Sequence, residues 1–182
     1  RAAGGHGADG AAVSGGGAMI GFTTEPYTDD VKAWLHRTDH YLSNPPPGCL
    51  YAVGVRLLVD GLWGPVPCGD LVGLCLVGRP VARMLPQDGS VGEVTRLWLR
   101  TGLPHGTASA LLRAAADVGR SRGLRALISY HDRTRHSGCI YRKAGFKKDG
   151  GHLARASGWG SRDRPKSADV GSTPKRRWRL DL

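Results

Sequence analysis

The sequence predicts an α/β fold, in which a mixed and mostly antiparallel sheet carries helices on both faces. Two apolar runs, 50–59 and 70–78, flank a segment that begins with Asp60-Gly61 and is rich in turn formers, which predicts an antiparallel hairpin. Residues 91–99 alternate in the way that a half-buried strand does. A helical period and then another apolar run follow, and a strand–helix–strand unit implies parallel pairing through a right-handed crossover.

The longest helices are predicted from apolar periodicity and from their end signals. Segment 27–44 predicts the first helix, with Thr28 as its N-cap. Residues 107–123 repeat apolar side chains every three or four positions, and either Thr107 or Ser109 can cap the start of that helix.

The pattern continues with a strand at 124–130 and a short helix within 136–145, for which Ser137 is a candidate N-cap. Gly145 is expected just beyond the end of this helix. Beyond residue 150 the chain is rich in Gly, Ser, Pro and Arg, and mostly irregular structure is expected there.

A chain of 182 residues suits one domain. Residues 1–18 are rich in glycine and lack an apolar period, so we expect a disordered leader or a cloning remnant, with Met19 as a candidate natural start. Residues 19–150 are the predicted catalytic domain. Residues 151–182 form a basic extension that contains tryptophans.

The net charge of +11 is concentrated near the C-terminus, where residues 147–182 carry ten Lys/Arg and four Asp, a net of +6. Such a segment attracts polyanions, and DNA is the expected partner. Trp159 and Trp178 lie among these charges, and their rings could stack on bases. A solvated tail, or a tail packed onto the domain, would explain the same pattern.

The four cysteines form no CxxC pair and no histidine lies beside them at metal-ligand spacing, so reduced thiols in a cytoplasmic protein and no metal site are expected. We expect no membrane segment, because no run is long and apolar enough. The oligomeric state is left open, with a dimer as one option.

Three segments could carry chemistry. Loop 100–109 runs into a helix N-terminus, where unpaired N–H groups favour a phosphate, although a plain connection would look the same. Ser129 and Asp132 lie at a strand end, where ligands of open sheets bind, or they form a polar cap on the next helix. Tyr141 could protonate a leaving thiolate from the same cleft, or could simply be a packed core tyrosine.

IYRKAGF, at 140–146, follows the other elements in an order that resembles the GNAT superfamily of acyl-CoA-dependent N-acyltransferases. The resemblance implies that acetyl-CoA or another acyl-CoA is the cofactor, and that strands 93–99 and 124–130 splay around its pantetheine arm. It implies Tyr141 as the general acid for the departing thiolate. The implied cofactor contacts are Leu97, Trp98 and Leu99 for pantetheine and His105, Gly106, Thr107, Ala108 and Ser109 for the pyrophosphate.

VGRPVAR (77–83), EVTRL (93–97), SYHD (129–132) and PKRRW (174–178) resemble a group of phage and prophage proteins that is similar to the phage Mom proteins, GNAT-like enzymes that modify adenine in DNA. The resemblance covers roughly residues 48–180. The loop RTGLPHGTA departs in register from the usual GNAT phosphate loop, and a histidine, His131, stands where Mom-like proteins tend to have a small residue.

The resemblance implies an enzyme, found in the cytoplasm of a prokaryotic or phage-infected cell, that modifies a nucleobase amine in DNA, such as adenine N6. Glu93 or Asp132 would be the base, with Ser129 and Arg96 as positioning residues. Glu93 and Arg96 are three positions apart on one strand, so they can share a face only if a β-bulge intervenes. Further expected substrate contacts are Tyr130, His136, Trp159, Arg176, Arg177 and Trp178.

Two alternatives remain open from the sequence. One is acetyl transfer to a small-molecule amine or a protein lysine. The other is a GNAT fold that binds DNA without catalysis.

Overall fold

The computed structural model describes residues 13–15, 18–38, 44–46, 48–59, 66–82, 84–152 and 173–182. The strands are β1 (Val13–Gly15), β2 (Ala18–Glu25), β3 (Tyr51–Leu57), β4 (Leu71–Gly78), β5 (Val91–Leu99), β6 (Ala126–Asp132), β7 (Lys147–His152) and β8 (Lys175–Asp181). The helices are α1 (Asp29–His36), α2 (Thr107–Ser121) and α3 (Cys139–Lys143). The eight strands form one sheet in the order β1-β2-β3-β4-β5-β6-β8-β7.

The predicted fold class is confirmed. The strands β3 and β4 pair as the predicted antiparallel hairpin, and β5 and β6 form the parallel pair. All other neighbouring strands pair antiparallel. Strand β2, which the sequence analysis missed, extends the sheet on the far side of β3.

Helices cover both faces of the sheet. On one face, here the α1 face, Leu35 of α1 packs on Leu74 and Leu76 of β4. On the other, the α2 face, Leu111 and Leu112 of α2 belong to the main core. That core also contains alternate residues of the central strands together with side chains of α3: Val53, Val55, Cys75, Val77, Val94, Leu127, Tyr141 and Ala144.

Strand β8 corrects the expectation of irregular structure after residue 150. It lies between β6 and β7 and pairs with β6 along its whole length, from Ala126↔Asp181 to Asp132↔Lys175. Trp178 of this strand is only 1% exposed. Part of the basic extension is therefore built into the sheet, while residues 153–172, with Trp159, lie outside the described residues.

A β-bulge at Thr95 decides which side chains of β5 share a face. Leu76 pairs with Arg96 and the next residue, Val77, pairs with Val94, so Thr95 is the extra residue. The bulge reverses the alternation, and Glu93 and Arg96 both lie on the α1 face. Glu93 and Arg96 were expected to share a face only if a β-bulge lay between them, and that bulge is present.

Two of the predicted helix caps are wrong. Thr28 does cap α1, since its side chain accepts a hydrogen bond from the Val31 N–H. The N-caps of α2 and α3, however, are Gly106 and Gly138, rather than Thr107, Ser109 or Ser137. Both glycines have positive φ, of 97° and 75°, which a residue with a side chain rarely adopts.

The expected leader is partly structured. Val13–Gly15 and Ala18 belong to strands, which corrects the expectation of disorder for those residues, while 1–12 and 16–17 lie outside the described part. Within the described ranges no helix is long and apolar enough to cross a membrane.

Candidate active site between two diverging strands

The parallel strands β5 and β6 separate partway along their length. They pair only from Val91↔Ala126 to Val94↔Ser129. Beyond this point β5 continues beside β4 to Leu99, while β6 continues beside β8 to Asp132. The backbone of residues 95–99 therefore faces a gap instead of a strand partner on its β6 side, which is the splayed geometry that the sequence analysis expected.

A cleft of about 190 Å³ lies at the wide end of this gap, on the α2 face. Six of the eight residues expected to contact the cofactor line it: Leu99, His105, Gly106, Thr107, Ala108 and Ser109. Cys139, Ile140 and Lys143 of α3 form the opposite wall. Trp98 instead points its ring to the α1 face, where it meets Trp34 edge-on at 5.1 Å.

The start of α2 gives this cleft the properties of an anion site. The first N–H groups of a helix lack acceptors within the helix, and the helix dipole favours negative charge there. With no Cβ, Gly106 at φ 97° lets a ligand approach the backbone closely. Arg100 and Lys143 add positive charge to the lining. These groups fit a diphosphate.

Tyr141 lies in a buried cluster on the α2 face. The Ser129 hydroxyl donates a hydrogen bond of 3.0 Å to the Tyr141 oxygen. The Tyr141 ring stacks on His131 at 5.8 Å and on Trp178 at 5.5 Å. Alternation along β6 places Ser129 and His131 on one face, and β8 supplies Trp178 opposite Ser129.

His131 is held neutral within this cluster. The Trp178 indole N–H donates to Nδ1 of His131 at 2.5 Å, so the imidazole proton lies on Nε2. Burial lowers the pKa of His131, and the nearby charges of His136, Arg176 and Arg133 lower it further. His131 was not among the predicted site residues, because its contact with Trp178 depends on β8, a strand that was not predicted.

Glu93 lies on the opposite face at almost the same level. It pairs with Ile128, one register position before Val94↔Ser129, and is 7% exposed. Burial raises the pKa of its carboxyl, against the opposing effects of the Val81 N–H, which donates to Oε2 at 2.9 Å, and of the Lys175 ammonium. A buried carboxylate with a raised pKa is suited to accept a proton.

Asp132, the other candidate base, holds the turn after β6. Its Oδ1 accepts hydrogen bonds from the backbone and side chain of Thr134, and Oδ2 lies 3.6 Å from Arg135. Burial works to raise its pKa, but the bonds from Thr134 prevail and hold the pKa of Asp132 below its usual value. Asp132 therefore closes the turn after β6 and does not cap the next helix, whose N-cap is Gly138.

The other predicted substrate residues are dispersed. Arg96 donates to the carbonyls of Thr95 and Asn44 and so braces the segment after α1. His136 is exposed in the loop after β6. Buried Trp178 stacks inside the protein, which corrects the expectation that it stacks on a base.

Arg177 contacts Tyr130 and the Asp149 carboxylate on the α1 face. Arg176 pairs with His131 and so lies on the α2 face. The two arginines therefore lie on different faces of the sheet. Alternation along residues 175–181 would have indicated this, but the strand was not predicted.

Solved structures of acetyltransferases share this fold at low sequence identity. An IAA acetyltransferase from Bacillus cereus superimposes with a TM-score of 0.55 at 13% identity, covering 90% of this chain and 99% of that one. A GNAT family acetyltransferase from Elizabethkingia anophelis, solved with acetyl-CoA bound, gives 0.53 at 12% identity over 88% and 98% of the two chains. The fold is that of the GNAT acetyltransferases.

The Mom protein family model matches residues 24–166, which is well over half of the chain. The chain therefore belongs to the Mom protein family. No curated protein matches the sequence.

Proposed function

We propose that this protein transfers an acyl group from an acyl-CoA to a nucleobase amine in DNA, with adenine N6 as the acceptor. The observation that carries the proposal is the placement of Glu93 and of the Ser129–Tyr141 pair on opposite faces of the sheet, one register position apart, where β5 and β6 separate. Membership of the Mom family and the GNAT fold support the reaction class.

The cleft residues fit an acyl-CoA, which supplies a thioester when bound. The N-terminus of α2, with Arg100 and Lys143, would hold its diphosphate. The backbone of residues 95–99 would bind the pantetheine amides, since it has no strand partner on that side. This arrangement would direct the thioester towards Tyr141 on the α2 face.

The acceptor amine would approach from the α1 face. An exocyclic amine conjugated with a purine ring is a weak nucleophile, and it needs orientation and removal of a proton. As the new N–C bond forms, Glu93 takes the proton from nitrogen. Tyr141 would give its phenolic proton to the CoA sulfur that leaves as the acyl group is transferred.

Acid and base would thus act from opposite sides of the sheet. Such a division keeps the buried carboxylate and the phenol from exchanging the proton directly. It also gives donor and acceptor separate entrances to the gap.

Nucleoside mass spectrometry of DNA from cells expressing the protein tests this proposal. We expect a new, heavier adenine nucleoside with wild-type protein and its loss with Tyr141→Phe, which removes the acid but keeps the ring packing. Unmodified DNA from cells that contain soluble wild-type protein would refute the proposed acceptor.

A further inference from the structure

A loop beside Glu93 presents apolar side chains to solvent. In the described part of the chain the large exposed apolar side chains are Leu58 at 41%, Val81 at 78% and Met84 at 96%. The two most exposed lie within four residues of each other, in the connection between β4 and β5. We refer to the described residues of this connection, 79–82 and 84–87, as the apolar loop. Exposed apolar groups that cluster beside a site commonly mark a contact surface.

The apolar loop is held in a defined position. The Val81 N–H donates to the Glu93 carboxylate at 2.9 Å, and Leu85 packs against the sheet residues Val91 and Ile128. The side-chain amide of Gln87 donates to three carbonyls of the loop, those of Pro80, Ala82 and Leu85, at 3.1, 3.3 and 3.2 Å. The backbone of the apolar loop is therefore tied to the proposed base at Val81 and to the sheet at Leu85.

Positive charge lies on the other side of Glu93, on the same face of the sheet. Lys175 of β8 is close enough to act on the Glu93 carboxyl. Arg177 and Arg179 continue the row on alternate residues of β8, and Lys147 of β7 pairs with Arg179. We refer to these four residues as the basic strip. Asp149 and Asp181 pair with two of its arginines, so part of its charge is already neutralised.

We propose that the apolar loop is a wedge that enters the base stack of duplex DNA beside the target base, while the basic strip holds the phosphodiester backbone. The inference rests on the proposed function and assigns its DNA-binding surface. A base inside a duplex cannot reach Glu93, which lies against the sheet, so it must leave the stack. Apolar side chains that replace a neighbouring base offset part of the unstacking energy.

The chemistry of the two surfaces indicates which kind of molecule binds them together. A protein partner would suit the apolar loop alone, and a small anion would suit the basic strip alone. A duplex offers both a polyanionic backbone and an apolar stack within a few ångströms of each other.

The test uses the full-length protein and a duplex that contains the fluorescent adenine analogue 2-aminopurine at the target position, without acyl donor. Wild-type protein should raise the fluorescence, because the analogue brightens when it leaves the stack. The variants Met84→Ser and Val81→Ser/Met84→Ser should not raise it. Leu58→Ser is the matched control, since it removes an exposed apolar side chain remote from Glu93, and it should behave as wild type.

With acyl donor present, the double variant should modify duplex DNA more slowly by about tenfold or more, the scale of losing part of the unstacking energy. The single variant Met84→Ser, which does not touch Glu93, should modify single-stranded DNA at the wild-type rate, because no stack has to be opened. Equal rates of the double variant and wild type on the duplex would overturn the wedge and leave the proposed function intact.

If wild-type protein modifies no DNA, the proposed function fails, and the fluorescence still decides the wedge separately. If the fluorescence rises with wild-type protein and not with the double variant, the wedge is supported as a device that distorts DNA. An unchanged signal with wild type would overturn it.

Discussion

Gly138 links backbone geometry to the packing around Tyr141, and replacing it with alanine tests that packing. A Cβ at this position would lie 2.6 Å from Cζ2 of Trp178 and 2.9 Å from Cε1 of His131. The residue also has φ 75°, which costs an L-residue about 1–2 kcal/mol. Crowding in a packed core adds about 1–3 kcal/mol. Together these give a loss of about 2–5 kcal/mol in the free energy of unfolding for Gly138→Ala.

Gly145→Ala is the matched control at the other end of α3. Its φ is 92°, but a Cβ there would meet only Cδ1 of Leu180 at 3.6 Å, an ordinary contact. It should therefore lose only the conformational part, about 1–2 kcal/mol. Urea unfolding measured on both variants gives the difference directly. Equal losses would refute the claim that the rings of Trp178 and His131 are closely packed against Gly138.

Four further predictions concern residues of the proposed site. Glu93→Gln should lower turnover by about 10²-fold or more, and the wild-type rate should rise with pH through a pKa above the ordinary glutamate value, as a pH–rate profile would show. The same substitution should stabilise the fold near pH 7 in thermal melts, because a buried carboxyl with a raised pKa lowers stability as pH rises above its unfolded pKa. Trp178→Phe removes the donor to Nδ1 of His131, so the pH–rate profile should gain an ionisation of that imidazole. If Trp178 had a purely structural role, the variant would instead have a lower rate by the same factor at all pH values. Iodoacetamide should label Cys139, because a hydrogen bond from Ser137, and to a smaller extent Lys143, lowers the pKa of its thiol. Bound CoA should protect Cys139, which lines the cleft. Cys68, which is exposed outside the cleft, is the control and should react equally with and without CoA, as mass spectrometry of peptides would show.

The sequence was sufficient for the centre of the fold because its elements are locally encoded. The alternation of 91–99 and the apolar period of 107–123 predict elements that the structure contains nearly to the residue. The cleft followed from the same logic, since a loop that leads into a helix start has unpaired N–H groups whatever its sequence.

The features that were missed depend on contacts between distant parts of the chain. The segment 175–181 has five charged residues among seven, a pattern that favours solvent over a sheet, and only its pairing with β6 and the burial of Trp178 make it a strand. The choice between Glu93 and Asp132 likewise required knowing that Thr134 already satisfies Asp132. Periodicity alone cannot supply either fact.

The position of β8 between two earlier strands also constrains how the molecule is made. Strand β6 ends at residue 132, but the strand that covers its edge begins only at residue 175. At ribosomal speeds of about 5–20 residues per second, that edge stays open for roughly 2–9 s after β6 has been synthesised. An open strand edge is a template for wrong pairing, so this interval is when the nascent chain most needs a chaperone. Since Trp178 arrives with the same late strand, the cluster around Tyr141 cannot assemble on the ribosome before β8 has left the exit tunnel.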